Sequence, residues 1–212
     1  IYEANREAAR FFHETLFTEK GKAQLDYLVR RNISPKMIKH FGLGAAPDDW
    51  HALEEHLRQK GFKQSELVAA NLVRYTEKNG KRYYYDAFRA KVIYPVIDLR
   101  GNVVAFGGRV LDNSKPKYIN TSDTLVYKKS NELFGLNFAK NGNDRKLILC
   151  EGYMDVIALH AAGFENAVAT LGTALTSEQA RLMAKHTKEV IISYDSDEAG
   201  QKAVRAAMAL FS

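Results

Sequence analysis

The chain has 212 residues, 46% of them hydrophobic and 26% charged, and a formal net charge of +6. That is an ordinary soluble globular composition, long enough for one large domain or two small ones around a real core. No apolar run approaches the roughly 20 residues that span a bilayer, no secretory signal is visible, and the single cysteine, Cys150, excludes an internal disulfide and fits a reducing compartment. The chain begins at Ile1 rather than Met, so a fragment or processed product is expected.

The first 70 residues read as helices. "EANREAARFFHETLF" places Ala8, Phe11, Phe12 and Leu16 at helical spacing, and "KAQLDYLVRR" repeats the pattern with Leu25, Leu28 and Val29. Ser34-Pro35 is an N-cap followed by proline in the first turn, and Gly42 and Gly44 stop that helix. "DDWHALEEHLRQKG" carries an aspartate cap and a terminal Gly61, and "SELVAANL" is one more short helix.

After Leu72 the composition changes. "LVRYT", "RYYYDAF", "AKVIYPVID" and "NVVAFGGRV" are rich in β-branched and aromatic residues and are separated by the turn signals "EKNG" and "LRGN". A small antiparallel sheet is expected, followed by a mostly looped segment to Gly135 with a helical turn near its end. Charge concentrates here: from Arg74 to Lys129 there are twelve Lys and Arg against five Asp and Glu. Such a surface suits an anionic partner, with affinity that falls steeply as salt rises. Tyr83, Tyr84, Tyr85, Tyr118 and Tyr127 are interleaved with the bases. They could stack on unpaired bases, although aromatics are common in strands for packing reasons alone.

From Arg145 the pattern becomes strand–helix three times over: "KLILC" then "GYMDVIALHAAG", "NAVAT" then "TSEQARLMAKH", and "EVIISY" then "SDEAGQKAVRAAMALF". Alternation of this kind gives a parallel sheet with crossover helices. The shift falls within "NFAKNGND", residues 137–144, so the expected division is an N-terminal mixed α+β basic part, 1–140, and a parallel α/β part, 141–212. Cys150 ends an apolar run and reads as a small core residue. The six histidines are scattered, His51 and His56 are five apart, and no Cys/His cluster supports zinc.

Parallel sheets bind ligands beyond the carboxyl ends of their strands. Glu151 directly follows "KLILC", and Asp195 and Asp197 directly follow "EVIISY". If those two strands are neighbours, three carboxylates share one sheet edge, as a Mg²⁺ site requires. Each acid has a structural reading as well: Asp197 is a good N-cap, and Glu151 sits where a helix dipole favours an acid. Asp195 is harder to explain as a cap. Gly152 would let backbone or ligand approach Glu151 closely. Gly200 inside a helix costs about 1 kcal/mol against alanine and invites a packing or access reason.

"LCEGYMDVIAL" followed by "YDSDEAG" resembles the Toprim signature, a glutamate after one strand and a D-x-D after a later one. Together with "FRAKV", "FGGRV", "PKYIN" and "YKKSNELFG" upstream, in this order, the chain resembles the catalytic core of bacterial replicative DNA primases of the DnaG type over most of its length. The resemblance implies a basic α+β subdomain followed by part of a Toprim domain, a Rossmann-like parallel sheet. It implies that Glu151, Asp195 and Asp197 are catalytic and bind Mg²⁺, or Mn²⁺, as two ions. A groove carrying Arg89, Arg109, Lys117, Tyr118, Asn120, Lys128 and Lys129 would take template DNA and nucleotides.

Further implied are a third acidic cluster beyond Ser212, a zinc site confined to an upstream module, and a helicase-binding region downstream. The expected activity is synthesis of short RNA primers on single-stranded DNA from ribonucleoside triphosphates, with an RNA–DNA hybrid as product, no membrane partner and a cytoplasmic location. Two other readings stay open: a Toprim-type nuclease or topoisomerase-related domain, and a non-catalytic single-stranded DNA-binding module.

Overall fold

A computed structural model describes residues 1–140 and 146–211. The chain forms two compact units, one of Ile1–Pro95 with Asn102–Val126, the other of Val96–Gly101 with the residues from Tyr127 onward. Residues 141–144 of the expected boundary at 137–144 lie outside the described residues. No helix among the described residues is long and apolar enough to cross a membrane.

The first unit opens with α1 (Tyr2–Leu16), which buries Ala4, Ala8, Phe12 and Leu16 along one stripe. α2 (Lys22–Arg30) and α3 (Pro35–Phe41) follow. α3 starts as its sequence predicts, with the Ser34 hydroxyl accepting from Met37 N–H at 3.3 Å and Pro35 in the first turn. Gly42 closes it in the left-handed region at φ 63°. Gly44 does not merely stop the helix. It begins a short strand, β1 (Gly44–Ala46), paired antiparallel with β4 (Lys91–Ile97). A Cβ on Gly44 would lie 2.7 Å from the Phe12 backbone, so glycine is what lets α1 rest on this strand.

α4 (Ala52–Gln59) and α5 (Gln64–Ala69) lead into the hairpin β2 (Val73–Lys78) and β3 (Lys81–Asp86). Its turn, Asn79-Gly80, has positive φ at both residues, the requirement of a tight hairpin turn whose twist matches its strands. The strands divide into two sheets rather than one: this hairpin, and a four-stranded sheet in the order β1-β4-β5-β6, with β5 (Val103–Val110) and β6 (Tyr118–Asn120). β6 lies in the segment that reads as loop; three residues are too few to show alternation amid Asp, Asn, Ser, Lys and Pro. Phe12, Leu53, Leu57, Leu67, Phe88 and Phe106 are fully buried in the core of this unit.

The cap of α4 departs from expectation. Asp49 serves only the local turn, accepting from His51 N–H at 2.8 Å. The first free amides of the helix, Leu53 and Glu54, donate instead to the two carboxylate oxygens of Asp86, at 2.8 and 2.9 Å, from the end of β3. A residue more than thirty positions away thus satisfies the helix terminus, which no local pattern can disclose.

The second unit holds α6 (Leu136–Ala139), β7 (Lys146–Cys150), α7 (Tyr153–Ala161), β8 (Ala167–Ala169), α8 (Ser177–Ala184), β9 (Glu189–Ser193) and α9 (Glu198–Met208). The three strands are parallel, in the order β8-β7-β9. The expected strand neighbours are therefore real neighbours. Leu147, Leu149, Val168, Met183, Leu133 and Leu136 build the core. α8 begins with the expected capping box, Thr176 with Gln179, and the same two side chains hold the chain upstream. Thr176 Oγ1 donates to Ser130 O at 2.7 Å, and Gln179 Nε2 donates to Lys129 O at 3.2 Å and Glu132 O at 2.8 Å.

Asp86 generates the first prediction. Burial pushes its carboxyl up to about 7, against the opposing pull of the two amides. In the unfolded chain it would release its proton near 3.8. Between those limits the folded protein binds more protons, so stability falls as pH rises through the window. Thermal melts should show that loss in the native protein and a flatter profile in Asp86→Asn. Asp86→Ala, which orphans two amides, should cost on the order of 2 kcal/mol at the acidic end of the window and progressively less as pH rises through it. An unchanged melting temperature in Asp86→Ala would refute the role.

Candidate functional site

The carboxyl ends of β7 and β9 are flush because their register pairs Cys150 with Ser193. Glu151 leaves one strand at the level where Tyr194 leaves the other. The Asp195 backbone N–H then donates to Glu151 Oε1 at 3.0 Å, tying the two strand ends together. Asp197 is the N-cap of α9, with Oδ1 accepting from Gly200 N–H at 2.7 Å. Gly200 is in the helix for a steric reason. A Cβ there would lie 2.0 Å from Asp195 O and 3.2 Å from Glu151 Oε1. Gly152 has no such need: its Cβ would meet only Asp155 Oδ2, at 3.8 Å, while its N–H donates to that carboxylate at 3.1 Å and so opens α7.

Glu151 and Asp197 line a cavity of about 430 Å³, walled on its other side by Thr170, Gly172 and Thr173 and floored by the small residues Ala203, Ala206 and Ala207 of α9 and its end. Gly172, at φ 75°, shapes the turn, and Thr170 Oγ1 donates to Thr173 O at 2.8 Å across it. Behind the edge, burial pushes the Tyr194 hydroxyl up to about 12, with the negative charge of Glu151 adding to it. Burial raises the Cys150 thiol to about 12 as well. That thiol is a core group, as expected, and no nucleophile.

All three acids are exposed, and none is paired with a Lys or Arg among the described residues. Glu151 and Asp197 each commit one oxygen to a backbone amide and keep the other. These hard oxygen donors fit a divalent cation of the magnesium type in chemistry. Among the described residues no three His, Cys, Asp or Glu side chains converge closely enough to hold one ion together. The trio shares an edge without meeting at a point.

The basic residues separate into distinct settings. Arg109 pairs across the β5–β6 ladder with Tyr118, and Gly107 with Asn120, so Arg109, Tyr118 and Asn120 lie on one sheet face. The Arg109 guanidinium stacks over Tyr27 at 4.5 Å and Tyr118 at 5.8 Å and donates to Val110 O at 2.8 Å. Lys117, next to Tyr118, is exposed. Gly108 serves packing rather than ligand approach, since a Cβ would lie 2.6 Å from the Phe88 ring. Arg89 has other partners: it bonds Asp48 Oδ1 at 2.7 Å and stacks over Trp50 at 4.0 Å.

Lys128 is exposed and Lys129 half-buried, at the start of the Lys129–Asn131 turn in the second unit. Of the interleaved tyrosines, Tyr127 is core at 2% exposure and Tyr83 is the most open at 55%. Sequence reasoning missed Trp50, read only as part of a helix start, and Tyr27, which lay within a helix whose spacing was read from Leu25, Leu28 and Val29. The signal for Trp50 was present: the one tryptophan of the chain stands among acids ahead of a helix and ends up 53% exposed. Tyr27 gave none, because its partner lies over eighty residues away.

The comparisons with known proteins cover the chain nearly end to end. Residues 11–140 match the DNA primase catalytic core, N-terminal domain, and residues 148–212 match a Toprim-like domain. The DNA primase of Clostridium acetobutylicum is 48% identical over 204 residues, which are 96% of this chain and 33% of that protein. The chain spans about a third of the length of the curated relatives it matches.

Among solved structures, the RNA polymerase domain of Mycobacterium tuberculosis primase DnaG superposes with a TM-score of 0.89 at 35% identity, over 98% of this chain and 70% of that one. A DnaG primase catalytic domain bound to single-stranded DNA superposes with a TM-score of 0.87 at 34% identity, over 98% of this chain and 64% of that one. Two adjoining matches in the expected order place the chain in the DnaG-type DNA primase family, from its catalytic-core N-terminal domain into its Toprim-like domain.

Proposed function

We propose that this chain is the catalytic part of a primase, synthesising short RNA primers on single-stranded DNA. A 3′-hydroxyl attacks the α-phosphate of an incoming ribonucleoside triphosphate, pyrophosphate leaves, and an RNA–DNA hybrid results. The observation that carries the reading is the joined end of β7 and β9, where Glu151 grips the backbone of the Asp195 loop. Glu151, Asp195 and Asp197 would hold Mg²⁺, or Mn²⁺ in its place, as two ions. When bound, such ions lower the pKa of the attacking hydroxyl and neutralise charge on the phosphoryl group.

The protein's own part is placement. Glu151 Oε1 fixes the Asp195 backbone, Asp197 Oδ1 fixes the first turn of α9, and the oxygens that remain are aimed from the strand ends. Arg109, whose guanidinium lies over Tyr27 and Tyr118, would present N–H groups to phosphate in two-point fashion. Lys117, Lys128 and Lys129 would act as point charges, and Arg89, Tyr118 and Asn120 would position template or nucleotide. The relative solved with single-stranded DNA supports the template assignment. A replicative helicase acting through a downstream region, zinc held by an upstream module and a cytoplasmic location complete the proposal.

A second reading, a single-stranded DNA-binding module indifferent to metal, draws on the lack of a converged metal cluster among the described residues.

In the full-length protein, Asp195→Ala should abolish metal-dependent primer synthesis and leave the circular dichroism spectrum unchanged. Primer yield equal to the native protein would sink the mechanism. Mn²⁺ titration followed by electron paramagnetic resonance separates the two readings: binding lost in Asp195→Ala supports the primase, and no binding by the native protein supports the module. Gly200→Ala sets two effects against each other. Helix propensity alone would favour alanine by about 1 kcal/mol. The Cβ cannot fit 2.0 Å from Asp195 O, so the loop must shift. Misplacing the reacting groups by about an ångström should cut primer synthesis by roughly a hundredfold. Undiminished synthesis in Gly200→Ala would show that loop placement does not matter.

A further inference from the structure

A cavity of about 860 Å³ opens on the first unit between the α4–α5 turn and the β2–β3 hairpin. Three cations line it, Arg58, Lys63 and Arg82, with no Asp or Glu among the lining residues. Its floor is apolar and aromatic: Phe62 and Tyr84 are half-buried against the core of the unit, and Tyr75 stands beside Tyr84 with ring centroids 5.7 Å apart.

The two arginines are held in advance. Arg58 Nη1 donates to Gln64 Oε1 at 2.9 Å across the turn. The Arg82 guanidinium stacks over the Tyr75 ring at 4.6 Å. The nearest acid of the hairpin is Glu77, 3.8 Å from Arg82 Nε. Both side chains of that pair are exposed, and a loose surface ion pair of this kind is weak and screened by salt. An incoming anion can displace it.

This cavity is separate from the surface assigned above to template. Tyr75 pairs with Tyr84 and Glu77 with Arg82, so these four residues share one face of the hairpin. Trp50, which Arg89 covers, packs edge-on against Tyr85, a residue of the opposite face.

We infer that the cavity is a binding site for a free nucleoside di- or triphosphate, with the base against Tyr84 and Phe62 and the phosphates among Arg58, Lys63 and Arg82. Its volume is that of small-ligand sites, about 300–1,000 Å³. An inorganic anion would leave the aromatic floor unused. A nucleic-acid strand would call for cations extended along a track, whereas these surround one hollow.

Photolabelling with azido-ATP in EDTA, followed by peptide mapping, tests the site while divalent metal is withheld from Glu151, Asp195 and Asp197. Label is expected on peptides spanning residues 62–75 and 82–84. It should fall about tenfold or more in Arg82→Ala and in Arg58→Ala, the loss expected for a charge-assisted hydrogen bond. It should persist in Asp195→Ala and be competed by unmodified ATP. The two arginines lie on different elements, and circular dichroism checks that each variant folds. Label confined to residues 151–200, label unaffected by either arginine variant, or competition by single-stranded DNA but not by ATP would each overturn the inference. The metal and primer assays of Asp195→Ala stand apart from these outcomes, so failure of one reading is distinguishable from failure of the other.

Discussion

The parallel pairing of β7 with β9 is the constraint on which the acidic edge depends. Register, not proximity in sequence, sets Glu151 level with Tyr194. A slip of one residue would turn every side chain of β9 to the other face and carry Asp195 away from Glu151. The hydrogen bond from Asp195 N–H to Glu151 Oε1 reinforces that register from the end of the sheet. Gly200 removes the one side chain that would force the ends apart. The arrangement combines a rigid scaffold with short loops, which fixes the positions of the carboxylates at little entropic cost.

The basic surface is ordered by a different device. Arg109 and Arg89 are each laid over an aromatic ring, Tyr27 and Trp50 respectively. Stacking confines a side chain that otherwise loses close to 2 kcal/mol of rotamer entropy on immobilisation, and leaves the edge of the guanidinium free to donate. The same motif recurs at Arg82 over Tyr75. Of the tyrosines of this region, Tyr127 is core while Tyr75 and Tyr118 lie beneath guanidinium groups.

Much of this was legible in the residues. Alternation of short apolar runs with capped helices disclosed the parallel sheet, and the acids after "KLILC" and "EVIISY" lie, as expected, at one edge of it. Ser34 and the Thr176–Gln179 box were readable because helix caps are local. What escaped was non-local or short. β1 and β6 are three residues each, too brief for a period to show. The cap of α4 comes from Asp86, which reads in sequence as the polar end of a strand. Gly108 is a seat for the Phe88 ring, a contact twenty residues away in the chain. Sequence placed the arginines; only the fold showed which rings hold them.

The Asp86 cap also bears on how the first unit assembles. The leading amides of α4 have their protein acceptor on a strand more than thirty residues downstream and gain it only when the hairpin docks. α4 and the hairpin therefore gain order together, and the loop between them is closed before the cap repays it. The amide protons of Leu53 and Glu54 exchange with solvent only when that docking opens, so they act as a native gauge of the hairpin's attachment, the same hairpin that walls the cation-lined cavity.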